Sequence, residues 1–311
     1  MSSRSLAVLG EALVDEFHDG PVAGGAPFNV ARSLAALGAP ALFISRIGAD
    51  DANGRLVLDS AERYGLGTQG LQRDAARATG RVSVLEQPGG GHRFEIHADA
   101  AWDHLDLPAA QSALAGAAPS LLYFGSLAQR HAVSRTAIRA LAKGFHGLRF
   151  LDLNLRPGTD NALFAAESLM LADWVKVNDE ELARLAGWFD TPGDEATQES
   201  AQVAALMDRF ALQRVVLTCG ADGWRFYGPG GALLAQGPGE PQPRVVDTVG
   251  AGDSFSALLL AGLAQQRDLA ATLALANRFA SFICGVRGPL PADPQALAPW
   301  RSALQALPSS P

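Results

Sequence analysis

The sequence is poor in cysteine, has no long apolar run and has no cluster of basic residues. Its 311 residues include only two cysteines, Cys219 and Cys284. Two are too few for a disulfide framework, and neither stands in the paired spacing of a metal-binding motif. The expectation is two reduced thiols in the core of a cytoplasmic protein. No stretch reaches the roughly 18 apolar residues that span a bilayer, so no membrane partner is expected. The opening MSSRSLAVLGEALVDEF has an apolar segment too short for a signal peptide, and acids follow it at once. Lys and Arg number 25 against 32 Asp and Glu, for a net charge of −7 and a pI near 5.4. Without a basic face, nucleic acid is not an expected partner, and the acidic balance favours solubility. Internal repeats and flexible linkers are missing too.

What remains is ample apolar material. Hydrophobic residues make up 48% and charged residues 18%. A packed core follows, in one large α/β domain with a small appendage or in two domains. Leu6–Leu9 is an apolar run ending at Gly10 and reads as a buried strand. Ala12–Phe17 alternates apolar and acidic residues, as a strand with one wet face does. Pro27–Leu37 carries apolar residues at helical spacing up to Gly38. Ala41–Ile47 reads as a strand and Asn53–Tyr64 as a helix. Arg81–Gln87 and Arg93–Ala98 flank Pro88-Gly89-Gly90-Gly91, a hairpin pattern.

From Leu121 strands and helices alternate. Strands are expected at Leu121–Phe124, Arg149–Leu153, Trp174–Val177 and Val215–Cys219. Helices are expected at Val133–Lys143, Asn161–Leu171, Glu180–Ala186 and Glu199–Phe210. This rhythm predicts a parallel sheet with helices on both faces. A second hairpin covers Trp224–Gln236, two Ala/Leu-rich helices cover 251–266 and 268–284, and the Pro-rich tail holds one short helix.

The segment that carries chemistry is Val246-Asp247-Thr248-Val249-Gly250-Ala251-Gly252-Asp253. Gly250, Ala251 and Gly252 crowd the point where extended chain becomes a long helix. Small residues let a ligand approach the backbone, and the first helical turn offers unpaired N–H donors with a partial positive charge. That is a site for a phosphate whose charge shifts during transfer. Asp253 stands at the same helix start. Its plain reading is a helix cap; its functional reading is a general base beside the anion pocket. A cap alone would not need two glycines and an alanine before it.

Asp247-Thr248-Val249-Gly250-Ala251-Gly252-Asp253 resembles the C-terminal motif of the ribokinase-like (PfkB) carbohydrate kinases, closest to bacterial fructokinases. Gly24-Gly25-Ala26-Pro27-Phe28-Asn29 resembles the family's paired-glycine motif, and Asn178 with Glu181 fits its Asn-x-x-Glu motif. The resemblance runs over about residues 5–290. It implies an α/β, ribokinase-like doubly wound fold: a mostly parallel central sheet with helices on both faces, plus a small β-lid. The large domain would be 1–11, 23–79 and 99–311, and the lid 12–22 and 80–98.

The resemblance also implies roles. Asp253 would take the proton of the acceptor hydroxyl while the backbone of Gly250, Ala251 and Gly252 holds the γ-phosphate. Asp15, Gly25 and Asn29 would bind sugar hydroxyls. Arg156, in Asp152-Leu153-Asn154-Leu155-Arg156, would bind substrate oxygens or phosphate. Asn178, Thr218, Gly220, Gly223 and Asn277 would lie along ATP. Glu181 would order Mg²⁺ through water, and Asp247 would neighbour a K⁺ site, although Pro289 stands where many relatives have a small residue. From the lid, Phe94 and Ile96, or His92 and His97, would face the sugar or a partner lid. The implied partners are a small-molecule sugar, ATP and, in a homodimer, a second copy.

Gly10-Glu11-Ala12-Leu13-Val14-Asp15 followed by Gly-Gly-Ala-Pro looks most like bacterial fructokinases, and that resemblance implies D-fructose as substrate. A 2-keto-3-deoxygluconate or other acid-sugar kinase stands second and a nucleoside kinase third. The non-enzyme alternative is a regulator that binds sugar or nucleotide without catalysis. A dinucleotide oxidoreductase would need a Gly-rich turn after the first strand, and Gly10-Glu11 does not supply one.

Overall fold

Leu6-Ala7-Val8-Leu9 has no polar side chain, and all four residues are buried, as a strand covered on both faces requires. A computed structural model of the protein describes residues 5–18, 20–39, 41–86, 92–190 and 198–310. The chain begins β1 (Leu6–Leu9), β2 (Leu13–Phe17), β3 (Gly20–Gly24), α1 (Ala26–Ala36), β4 (Ala41–Gly48), α2 (Ala52–Arg63), β5 (Leu71–Asp74), β6 (Gly80–Glu86), β7 (His92–Ile96) and α3 (Leu107–Ala117). It continues β8 (Leu121–Gly125), α4 (Ala132–Lys143), β9 (Leu148–Asp152), α5 (Ala162–Leu169), β10 (Trp174–Asn178), α6 (Asp179–Phe189), α7 (Gln198–Phe210) and β11 (Arg214–Thr218). It ends β12 (Trp224–Gly228), β13 (Ala232–Gly237), α8 (Ala251–Ala264), α9 (Leu269–Cys284) and α10 (Ala298–Ala306).

Nine strands form the main sheet in the order β13-β12-β11-β10-β9-β8-β1-β4-β5. From β11 to β5 every pair is parallel; β12 and β13 close one edge as an antiparallel hairpin. The ribokinase-like architecture is therefore as expected. After β1 the chain builds outward through β4 and β5, then returns to β8 and builds the other way. The reversal beside β1 is a switch point, and ligands of open α/β sheets bind at the carboxyl ends of strands there.

Side-chain alternation in the strands feeds two cores. Val8 and Phe43 pack with Phe28 and Leu34 of α1, Leu258 of α8 and Phe279 of α9. Ala7, Leu9, Leu151 and Val177 pack with Ile138 of α4, Leu169 of α5, Leu185 of α6 and Val203 of α7. At Gly10 an added Cβ would lie 2.3 Å from Cγ of Pro27, so the end of β1 and the start of α1 touch backbone to ring. That contact brings Glu11 and Asn29 into one neighbourhood.

A separate lid sheet runs β3-β2-β6-β7. β2 pairs antiparallel with β3 and parallel with β6, and β7 is antiparallel to β6. The turn at Pro88–Gly91 lies outside the described residues. Three elements have no clear signal in the sequence. β3 reads Gly-Pro-Val-Ala-Gly, β5 is the short Leu-Gln-Arg-Asp, and α3 buries only Ala110. Pairing with β2 and β4, not local propensity, makes the two strands. Cys219 is buried, but Cys284 is only half-buried, a correction to the expectation of two core thiols. Among the described residues no helix is long and apolar enough to cross a membrane.

Candidate active site

The head of α8 is built by a backbone clip. Asp247 accepts the N–H of Val249 on Oδ1 (3.0 Å) and of Gly288 on Oδ2 (3.1 Å). The amides of Val246 and Asp247 donate to the carbonyl of Cys284, so residues 246–249 are strapped to the end of α9. Gly250 then caps α8 at φ 80°, in the left-handed region, and an added Cβ would lie 2.5 Å from Cα of Pro289. Only glycine meets both demands. Ala251, Gly252 and Asp253 form the first turn, where helical N–H groups lack intrahelical partners.

Asp253 is half-buried there, and Asn29 donates its amide to Oδ2 at 2.8 Å. Among the described residues Oδ1 accepts no hydrogen bond. The orientation of Asn29 is set in turn by Arg32, one turn on in α1. Arg32 donates to Asn29 Oδ1, to Ser60 Oγ (2.6 Å) and to the carbonyl of Ala23 (3.0 Å), and lies over the ring of Phe28. A guanidinium cannot accept, so Asn29 presents its carbonyl to Arg32 and its NH₂ to Asp253. Burial pushes the Asp253 carboxyl up to about 6, with Asp152 adding to the rise and Asn29, Lys176 and Arg156 opposing it.

Two further acids share this pocket. Glu11, just past β1, is 3% exposed, and its Oε2 has no partner among the described residues. Burial pushes its carboxyl up to about 7, and Asp253 adds to that; the amides of Glu11 and Ala26 and the charge of Arg156 favour its ionised form. Asp15 on β2 is half-buried and held up to about 6 by burial, with Arg32 opposing and Asp253 assisting. Its carboxyl abuts Gly24, where an added Cβ would clash with Oδ2. Gly25, at φ 105°, leaves no room either: a Cβ would lie 2.8 Å from the carbonyl of Glu11. Burial brings the Arg32 guanidinium down to about 10. Arg156 is exposed, and its charge reaches both Glu11 and Asp253.

Beyond β9 and β10 a second group of polar side chains is knitted together. Asn178 caps α6: its Oδ1 accepts the N–H of Glu181 (2.7 Å), and Glu181 returns a bond to the amide of Asn178 (3.0 Å). The other Glu181 oxygen accepts the N–H of Leu155 at 2.7 Å, tying the loop that carries Asn154 and Arg156 to α6. Burial raises the Glu181 carboxyl above its usual range, against the pull of these two amides and Lys176. Asp152 accepts from Lys176 Nζ (2.9 and 3.0 Å), from Ser256 of α8 (2.7 Å) and from Tyr123 (3.4 Å).

The remaining predicted residues lie toward the β12–β13 hairpin. Thr218 ends β11, with its hydroxyl 3.5 Å from the carbonyl of Val177. Gly220 (φ 51°) and Gly223 (φ 93°) shape the turn after it, and a Cβ on Gly223 would clash with the carbonyl of Gly237. Asn277 of α9 donates to the carbonyl of Pro238 at 3.0 Å. An open hollow of 320 Å³ between Asp222, Trp224, Arg225, Gln236, Gly237 and Pro238 adjoins them. Cys219 accepts a bond from Arg225 at 2.9 Å.

The structure thus brings Asp15, Gly25, Asn29, Arg156 and Asp253 into one neighbourhood, linked by the Asn29–Asp253 bond, close packing at Gly24 and Gly25 and mutual charge interactions. Asn178 and Glu181 join it through the Leu155 loop. Thr218, Gly220, Gly223 and Asn277 make no direct bond to Asp253. Sequence reasoning gave no role to four contributors, Glu11, Arg32, Asp152 and Lys176, although Glu11 and Asp152 stand within the motifs that it singled out. The signal for Arg32 was its place three residues after Asn29 on an otherwise apolar face. Asp152 and Lys176 could have been found as charges inside apolar strands, where unpaired charge is costly.

A carboxylate at the bare head of a helix, at the carboxyl edge of a parallel sheet and beneath a small lid sheet, defines a sugar kinase of the ribokinase-like fold. The chain belongs to the pfkB family of carbohydrate kinases, whose sequence pattern matches residues 6–296. It is a phosphotransferase with a sugar hydroxyl as acceptor. It is 32% identical to the fructokinase of Klebsiella pneumoniae over 92% of this chain and 95% of that one. With the fructokinase of Escherichia coli it shares 30% identity over 94% and 97%. Among solved structures, the Xylella fastidiosa fructokinase with bound ATP superposes with a TM-score of 0.78 at 25% identity, covering 97% of this chain and 98% of that one.

Proposed function

We propose that the protein transfers the γ-phosphate of ATP to a terminal hydroxyl of D-fructose, with Asp253 as the general base. The observation that carries this is Asp253 itself: one oxygen is held by Asn29, the other is free of hydrogen bonds among the described residues, and the Gly250–Gly252 backbone lies beside it. In the reaction the hydroxyl gives its proton to Asp253 as its oxygen bonds to the γ-phosphorus, and the bond from that phosphorus to the ADP oxygen breaks. The first-turn amides of α8 offset the charge gathering on the transferred group.

Asp15, Gly25, Asn29 and Arg156 would hold the sugar; Asn178, Thr218, Gly220, Gly223 and Asn277 would line the nucleotide. Glu181 fits a Mg²⁺ bound through water: each carboxylate oxygen accepts one backbone N–H and keeps a lone pair over. When bound, Mg²⁺ supplies neutralisation of phosphate charge. Asp247 would support K⁺ through the loop it clips. Residues 12–22 and 80–98 would close as a lid over the large domain and exclude water. The fructokinase relatives support fructose, and a Vibrio cholerae fructokinase solved in fructose, ADP and potassium ion bound form superposes with a TM-score of 0.76 at 25% identity. Two free cysteines fit a cytoplasmic setting. A riboside is the second reading, because an aminoimidazole riboside kinase from Salmonella enterica superposes equally, at 25% identity and a TM-score of 0.76.

The test is ADP release across a panel of neutral sugars, acid sugars and nucleosides, with the product identified by mass spectrometry, beside Asp253→Asn. Fructose-dependent turnover is expected, falling roughly 10²–10⁴-fold in the variant. Equal turnover in the variant would remove the base, and preference for a nucleoside would replace fructose.

A further inference from the structure

One buried cation has no part in the transfer step. Lys176, on β10, is 6% exposed, and Asp152, on β9, is 2% exposed. An ion pair this deep is costly to desolvate and is weak evidence for stability. Its surroundings point elsewhere. Ser256, three residues after Asp253 in α8, donates to the same Asp152 carboxylate. One turn earlier on the same face of α8, a Cβ added at Gly252 would lie 3.4 Å from Lys176 Nζ. The ammonium therefore lies against the bare backbone of the residue that precedes Asp253, and the pair is docked under the first turn of α8.

We infer that Lys176 is a positioning residue for the reaction: its ammonium, held by Asp152 beneath the head of α8, screens Asp253 from the Asp152 carboxylate and keeps Asp253 an ionised base at neutral pH. The inference rests on Asp253 being that base. Charges reach Asp253 from every side. Asp152 from β9, Glu11 after β1 and Asp15 on β2 disfavour its ionisation. Lys176 from β10, Arg156 after β9 and Arg32 from α1 favour it, and Tyr123 on β8 is a phenol held neutral by burial. Arg156 is exposed and screened by solvent and salt. Arg32 is engaged by Asn29, Ser60 and Ala23. Lys176 is the cation bonded to Asp152 itself, so its loss would leave a bare negative charge behind the helix head.

The test is the pH dependence of kcat/KM for the wild type, Lys176→Met, Asp152→Asn and the double variant, beside Asp253→Asn. Catalysis needs ionised Asp253, so activity falls as pH drops through its pKa of about 6. Lys176→Met unmasks Asp152 and should move this acid limb upward by about one pH unit, so that at pH 5, with each enzyme normalised to its own plateau, the variant is about tenfold less active than the wild type. Asp152→Asn leaves the ammonium alone and should move the limb downward. The double variant should return it near its starting point. Structural damage lowers plateaus but does not displace the limb in opposite directions. Unmoved limbs in both single variants would overturn the inference. If Lys176→Met does not fold, the downward shift in Asp152→Asn and its reversal in the double variant decide. Full turnover in Asp253→Asn would instead overturn the base, and this inference with it; an inactive Asp253→Asn with unmoved limbs overturns Lys176 alone.

Discussion

At the scale of single residues, Glu11, Asp15 and Asp253 are acids whose titration burial moves up toward neutral pH. Glu11 shows the consequence for stability. Its folded pKa is raised from the ordinary 4.5 to about 7. A raised value means that the favourable contribution is complete below pH 4.5 and is lost as pH rises through 7. The full ionisation penalty is about 3 kcal/mol, at roughly 1.4 kcal/mol for each pH unit separating the two values. Glu11→Gln should therefore melt higher than the wild type at pH 8 and show little gain at pH 5, by calorimetry at both values. A gain equal at the two values would refute the buried-acid account. Asp253 could be singled out in the sequence because its neighbours are small. Glu11 could not, because an acid after a strand looks the same whether it ends in water or under α1.

At the scale of elements, two helix starts do most of the positioning. α1 delivers Asn29 because Gly10 and Gly25 let its first turn sit directly on the end of β1. α8 delivers Asp253 because Gly250 turns the chain at φ 80° against Pro289. Gly250→Ala adds a Cβ where a backbone atom already lies at 2.5 Å, in a conformation L-residues avoid. The expected cost is about 1–3 kcal/mol in a urea denaturation series, with kcat falling more than the sugar KM rises. An unchanged midpoint would show that the strap at 246–250 can shift freely. The glycines themselves were legible in the sequence, and so was the long helix after them. What stayed hidden was the partner: Pro289 is 39 positions away, and only the clip from Asp247 to Gly288 brings it near.

At the scale of the whole molecule, the lid is fastened to the large sheet by Arg130. Its guanidinium donates to both oxygens of Asp103 (2.9 and 2.7 Å) and to the carbonyl of His97 just past β7, and stacks 4.0 Å from the Trp102 ring centroid. Arg130→Met should loosen this tie between the end of the small sheet and the large domain. Sugar KM should rise severalfold and sugar-independent ATP hydrolysis should increase, while the KM for ATP holds; steady-state assays with and without sugar check this. Local pattern by itself determined the strand–helix rhythm, the parallel sheet and the glycine-rich head of α8. It did so because periodicity and glycine placement act over a few residues. Only the tertiary structure decided that β3 and β5 would be strands, that Asn29 would meet Asp253 across 224 positions of chain, and that Lys176 would lie under Gly252. Those outcomes depend on which strand edges pair and which buried polar groups find partners, and that is settled by packing between elements far apart in the chain.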